Sequence, residues 1–348
     1  MEIKVPSEIE SSLDLDSREG APVIVHAPSA QNVHGAVEWL HAHRSALRAA
    51  LLHHGHVLIR GLPIADQNDF SRVREVLIDK AAEYREKATP RSDYGNAVFS
   101  STNFPASESI KLHNENSYTM DFPGTVLFCC LEAPSERGAT TIADVRKVLR
   151  NVSESLRERF RQSGWMLVRN YREYVGLPWR VAFGSDSRED VERYCERNLI
   201  AAQWESGDVL RTRQLRSAII AHPVTGEEVW FNHVAFWSKW SLDDEVRKML
   251  IETFGEKGLP FDTLLGDGSG LGREEIEELK HAYELATCRE SWKRGDVMIV
   301  DNILCAHGRD PFVGQRKVVV SMGNAVSLES CKPTISLDDM KMKIASAP

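Results

Sequence analysis

His113 and Glu115 stand two residues apart and His307 follows 194 residues later; two imidazoles and a carboxylate form a donor set suited to a divalent transition metal. If the chain around 113 is extended, alternate side chains share a face, so His113 and Glu115 point one way while Leu112 and Asn114 point the other. Such a pair takes two neighbouring corners of a metal, and His307 supplies the third from a distant strand if a closed sheet brings it alongside. Three protein ligands on one octahedral face leave three positions for reactants, two for a chelating cosubstrate and one for dioxygen. The set suits iron(II), although its spacing also admits zinc or manganese. With 12 histidines a His-x-Glu pair arises readily by chance, and its plain reading is a polar strand or loop residue bonded to its neighbours.

Elements that could bring these residues together are legible around them. Apolar positions at Val33, Val37, Leu40, Leu47, Leu51 and Leu52 predict a helix over 32–54. His56–Arg60 reads as a strand stopped by Gly61 and Pro63, and a second helix is expected from about Phe70 to Tyr84. Residues 89–111 are rich in Thr, Pro, Ser, Asn and Gly and read as a long loop of the lid or binding kind. Val126–Leu131 reads as a buried strand, and Thr140–Ala143 as an extended segment before Asp144, which can cap a helix starting near Val145. Further helices are expected over 153–162, 186–202, 242–254 and 272–286, and the apolar runs become short at 165–168, 209–210, 218–221 and 229–231. The Gly266–Gly272 loop has no Lys-Ser or Lys-Thr ending and is read as not following a strand, so a phosphate loop is rejected. Strands return at 297–300, 304–307 and 317–322. Many short strands with helices at the start and in one insertion argue for a curled, mainly β core with helical elaboration. The expected layout is one domain over 1–348, with helical support at about 30–85, a lid loop at about 89–111 and an insertion at about 150–290.

Composition sets bounds on function. The chain has 348 residues, 42% of them apolar, and a net charge of -8, so a packed core is expected and no global field favours a polyanion. Nucleic acid is therefore not an expected partner. No run approaches the roughly 18 apolar residues of a membrane span, and Met1-Glu2-Ile3-Lys4 does not open a signal pattern, which makes the cytoplasm the expected compartment. The six cysteines form no C-x-x-C pair, and adjacent Cys129 and Cys130 read as core packing rather than a metal clip.

The segments HNENSY (113–118), PGTVLFCCLEAP (123–134), GATTIADVRKVL (138–149), HPVTGEEVWFNH (222–233) and GDVMIVDNILCAHGRDPFVGQRKVVVSM (295–322) resemble the TauD/TfdA-like family of 2-oxoglutarate oxygenases, over roughly residues 55–326. They are most similar to its branch containing amino-acid hydroxylases of bacterial peptide natural-product pathways. The resemblance implies a double-stranded β-helix, or jelly-roll, of cupin-like form. It matches His113, Glu115 and His307 to the iron(II) ligands, Arg316 to the arginine that clasps the far carboxylate of 2-oxoglutarate, and Thr140 to a hydroxyl touching that carboxylate. A planar guanidinium suits that task through two parallel charge-assisted bonds. The plain readings are a solvated Arg at a strand start and a strand-forming Thr.

Other residues keep two readings. Asn116 and Ser117 line the pocket or form a turn; Trp230, Asn232 and His233 approach the site or, for Trp230, fill the core. Arg309 orients a substrate carboxylate or caps its loop, Asp301 and Asn302 shape a turn, and Arg169 is a substrate contact by resemblance. Two departures carry information. Many members have aspartate where Glu115 stands, and related halogenases have a small residue there, so Glu115 argues against halogenation. Some members carry a second arginine four residues after Arg316, where this chain has Val320, which speaks against a sulfonate substrate.

The implied reaction consumes dioxygen and 2-oxoglutarate, releases succinate and carbon dioxide, and hydroxylates an unactivated C–H of an amino acid or amino-acid-derived small molecule, free or held on a carrier protein. Desaturation, cyclisation or epoxidation needs only a different fate for the substrate radical. Outside that chemistry the rivals are an oxygen-independent metal isomerase or hydrolase on a cupin-like barrel and a non-catalytic, ligand-binding β-barrel. A homodimer is expected only because two-fold assemblies are common.

Overall fold

The computed structural model describes residues 12–28, 30–82, 86–87, 91–102 and 104–346. The first helix, Val33–His54, starts where Asn32 accepts the amide of Gly35 and stops where Gly55 turns left-handed and donates to the Leu51 carbonyl. Its buried face carries Ala36, Leu40, Leu47 and Ala50, and the chain passes directly into the strand His56–Arg60. The second helix, Gln67–Leu77, is capped by Asp66 and ends earlier than the expected Tyr84, itself outside the described residues. Tertiary pairing overrides helical periodicity there: Ala82 donates to the Met322 carbonyl, and Ala81 bridges Gly323.

Two sheets form the jelly-roll core. The larger runs in the order Leu15–Asp16, Ile24–His26, His56–Arg60, Val297–Asp301, Asp121–Glu132, Lys317–Ser327, Phe99–Ser100. The smaller runs Thr287–Cys288, Thr140–Asp144, Cys305–Arg309, Ile110–His113. In the run VLFCCL, Val126, Phe128 and Cys130 join the core between the sheets, while Leu127, Cys129 and Leu131 join the core beneath the two N-terminal helices. A strand covered on both faces must be apolar at every position, which is why this run shows no alternation. Adjacent Cys129 and Cys130 consequently face opposite cores, and all six cysteines are free.

Between the core strands sits a second, four-stranded antiparallel sheet, ordered Ile200–Glu205, Val209–Arg216, Trp165–Tyr171, Phe261–Leu265. The last of these strands leads straight into the Gly266–Gly272 loop, which corrects the expectation that no strand precedes it. The loop folds back on itself through Leu265 to Ser269 and the Leu264–Gly270 bridge, so its backbone closes a turn. No helix of the described residues is long and apolar enough to cross a membrane.

His56 is buried where the strand enters the core, with its ring nitrogens 3.6 and 3.8 Å from the sulfurs of Cys305 and Cys288. Burial pushes its pKa from 6.5 down to about 4. In the unfolded chain this imidazole takes a proton near its ordinary value, whereas in the fold it stays neutral until about pH 4. Its contribution to stability is thus complete above 6.5 and is lost as the pH falls toward 4. Between pH 7 and pH 5 the loss is about 2 kcal/mol. Denaturant unfolding at both pH values should show His56→Gln losing about that much less than the natural chain; equal losses would refute the assignment.

Candidate active site

The strand Ile110–His113 lies against Cys305–Arg309, and His113 pairs directly with His307 in the ladder. Cross-strand partners project on one face, and the two imidazole centroids are 4.6 Å apart. The pairing shifts between His307 and Arg309, and Gly308 occupies the shift. A Cβ there would lie 2.5 Å from the Ile110 carbonyl oxygen and 2.8 Å from the Thr141 hydroxyl, so this glycine permits the close approach of strands that sets the histidines side by side.

Glu115 is not on that strand, and the expectation that alternation along one strand aims both ligands is corrected. The strand ends at His113, and Glu115 begins a turn in which Asn116 has φ +54°. Asn302 holds this turn in place. Its side-chain carbonyl accepts the Glu115 amide at 2.7 Å, and its NH2 donates to the carbonyls of Glu115 (2.9 Å) and Pro123 (2.8 Å). Asn114 donates in return to the Asn302 carbonyl at 2.7 Å. Asp301 caps the same corner by accepting the amides of Ile303 and Leu304. The expected turn-shaping pair thus reaches across to orient a candidate ligand.

One donor atom from each of His113, Glu115 and His307 lies within 4.8 Å of the other two, close enough to share one metal ion. His113 Nδ1 is 2.8 Å from the Lys111 carbonyl, so as an N–H it donates there and leaves the lone pair of Nε2 for a metal. Burial, with His307 nearby, lowers the His113 pKa to about 4, so the ring is neutral at pH 7 and competent as a ligand. Burial pushes the Glu115 carboxyl up, but the Arg91 guanidinium at 2.8 Å and the nearby His307 and His113 outweigh it and hold the group well below the usual carboxylate range. A neutral His113 of fixed tautomer, a second imidazole from His307 and an ionised carboxylate fit an iron(II) ion.

A small cavity opens beside the triad, bordered by Phe128, Thr140, Arg316 and Arg91 as well as the two histidines. Arg316 donates through Nε to the Gly138 carbonyl at 2.9 Å and through Nη2 to Thr140 Oγ1 at 3.3 Å; Trp292 Nε1 donates to the same oxygen at 3.2 Å. No described carboxylate pairs with Arg316. Burial, with Arg309 nearby, lowers its pKa to about 10, which leaves it cationic at neutral pH.

The remaining sequence candidates divide. Ser117 shares a 2.6 Å hydrogen bond with His233 Nδ1, and the His233 ring lies 5.6 Å from that of His113, so both border the triad. Burial, with His113 beside it, keeps His233 well below the usual imidazole range. Asn116 turns the chain and accepts from the Tyr118 hydroxyl. Asn232 is a local cap, donating to Ala218 and accepting from Val234, and Trp230 packs edge-on to Phe160 in the core. Arg309 donates to the carbonyls of Phe104, Pro105 and Glu108, which assigns it to holding that loop. Arg169 lies over the rings of Tyr171 and Trp237; its Nη2 donates to the Lys87 carbonyl, and its buried Nη1 has no hydrogen-bond partner among the described residues. Arg91 and Trp292 escaped the sequence reading. The one signal for Arg91 is that it is the only Lys or Arg between 89 and 110.

Residues 24–322 match the family model described as taurine catabolism dioxygenase TauD, TfdA family. The chain is 36% identical over 268 residues to dapdiamide synthesis protein DdaC of Enterobacter agglomerans, covering 77% of this chain and 82% of that protein. It is 27% identical over 286 residues to a clavaminate synthase-like protein of Arabidopsis thaliana, covering 78% and 83%. Among solved structures it is similar to PvcB of Pseudomonas aeruginosa, with a TM-score of 0.52, 16% identity and 89% of each chain covered. A taurine dioxygenase from Burkholderia xenovorans gives a TM-score of 0.50 at 14% identity, covering 97% of this chain and all of that one. At these identities the two structures speak for the fold alone.

Proposed function

The chain belongs to the taurine catabolism dioxygenase TauD, TfdA family, and from that premise we propose that this non-haem iron, 2-oxoglutarate-dependent oxygenase hydroxylates an unactivated C–H of an amino acid or amino-acid-derived small molecule. The observation that carries this reading is the convergence of two imidazoles and one ionised carboxylate beside a cavity lined by a cationic Arg316 that no described carboxylate pairs. Iron(II) held there supplies dioxygen activation coupled to oxidative decarboxylation of 2-oxoglutarate.

The protein's own residues position the reactants. Arg316 and Thr140 receive the far carboxylate of 2-oxoglutarate, with Thr140 held by Trp292 and Arg316 by the Gly138 carbonyl. Ser117 and His233 border the substrate side of the triad, and the buried Nη1 of Arg169, behind Trp237 and without a partner among the described residues, supports an anionic group on the substrate. A substrate carboxylate fits such a donor. The relatives named for dapdiamide synthesis and for clavaminate synthase support a setting in specialised metabolism, where the substrate can be carried on a protein. Six free thiols support the cytoplasm as its compartment.

Anaerobic titration of the iron-loaded protein with 2-oxoglutarate tests the cosubstrate, and the expected result is a saturable metal-to-ligand absorption band. No band in folded, iron-bound protein would end the cosubstrate assignment. A panel of amino acids and their amides, scored by acceleration of succinate release, tests the substrate class; no acceleration by any member would refute it.

A further inference from the structure

Arg91 sits at the edge of the cosubstrate cavity, and nothing in the motifs points to it. Its side chain is 7% exposed, and its Nη2 is 2.8 Å from Glu115 Oε2. That same oxygen lies 3.6 Å from His307 Nε2, which puts the guanidinium at the metal end of the cavity. Arg316 and Thr140 border the same cavity and are tied to each other and to Gly138 rather than to that ion pair. The strand Lys317–Ser327 offers only hydrocarbon here: Val318 borders the cavity, and Val320 stands where some relatives place a second arginine. Arg91 is nevertheless built into that strand's surroundings. The next residue, Ser92, donates its amide to Ser100 Oγ and accepts the Ser100 amide, both at 2.9 Å, and Ser100 pairs with Val319.

We propose that Arg91 binds the metal-proximal carboxylate of 2-oxoglutarate while holding Glu115, so that the cavity grips the diacid with one guanidinium at each end. The inference rests on the proposed cosubstrate role of Arg316. A buried guanidinium needs an anionic partner in every state of the site. With the metal absent, Glu115 provides it. A divalent ion bound to Glu115 draws on that carboxylate and repels Arg91, and the carboxylate of a chelating 2-oxo acid restores the balance beside it. The guanidinium carries five donors in a planar fork, a shape able to serve two carboxylates together.

The test is calorimetric titration of the manganese(II)-loaded, oxygen-inert protein with 2-oxoglutarate and with 2-oxobutyrate, which lacks the far carboxylate. Oxalate replaces 2-oxobutyrate if the natural chain takes the latter too weakly to measure. Arg91→Gln should weaken both ligands by a similar factor of about ten or more, whereas Arg316→Gln should weaken 2-oxoglutarate alone. Arg91→Lys should recover part of the loss, and manganese affinity, read in the same samples, should stay within about threefold. Unchanged 2-oxo acid affinity in Arg91→Gln overturns the proposal, as does a loss confined to manganese, which would limit Arg91 to holding Glu115. Failure of the natural chain to bind 2-oxoglutarate would instead overturn the cosubstrate reading on which the proposal stands.

Discussion

Glu115→Ala is expected to leave no metal-dependent turnover and to destabilise the metal-free protein by about 3–5 kcal/mol. The first effect follows from removing the anionic member of a three-ligand set. The second comes from Arg91, whose guanidinium loses its partner at 2.8 Å and stays buried. Breaking a buried pair from one side is more damaging than removing both members, because the residual charge stays buried without the carboxylate that balanced it. The double variant Glu115→Ala with Arg91→Met should therefore recover most of the stability while remaining inactive. Denaturant unfolding, iron content and succinate release measured on the three proteins would separate the effects. Natural iron content and turnover in Glu115→Ala would remove this carboxylate from the site altogether.

Arg316→Leu is expected to raise the half-saturating concentration of 2-oxoglutarate by about 100-fold with little change in turnover at saturation. The guanidinium is cationic, partly buried and already oriented by the Gly138 carbonyl, so its loss removes a preformed receptor. A contact to the unreacting end of the cosubstrate is made equally before and during reaction, which is why affinity changes and rate does not. Thr140→Ala should have a smaller effect in the same direction, since it removes one hydroxyl and leaves the cation. Initial rates against 2-oxoglutarate concentration decide the matter: an unchanged half-saturation in Arg316→Leu would take that residue out of the cosubstrate pocket.

Much of this site was legible because its residues sit in short, distinctive segments. His113, Glu115 and His307 converge as expected, and Arg316 and Thr140 meet through a hydrogen bond despite their separation in sequence. The buried strand around Val126–Leu131 and the cap at Asp144 were readable because local chemistry decides them. Less legible was whatever depends on tertiary pairing. The second helix stops at Leu77 because the chain is drawn into pairing with the strand at Met322, which no local pattern announces. Glu115 looked like a strand residue since alternation is the simplest way to aim two side chains together; the left-handed Asn116 and the Asn302 clamp achieve it otherwise. Arg91 was invisible because a single arginine in a polar loop has no periodicity, and the Ser92–Ser100 bonds and the ion pair with Glu115 that place it arise from tertiary structure. Trp230 and Arg309 each carried two readings in the sequence, and the contacts seen are the core packing of Trp230 and the loop carbonyls held by Arg309, which also lines the cavity beside the histidines.

The ladder partnership of His113 with His307 also bears on how the protein matures. Opposite rungs come from segments 194 residues apart, so a growing polypeptide that has not yet released residue 307 presents only two of the three ligands. Iron capture at this centre is therefore an event of the finished molecule, and a truncated translation product would circulate without the means to activate oxygen.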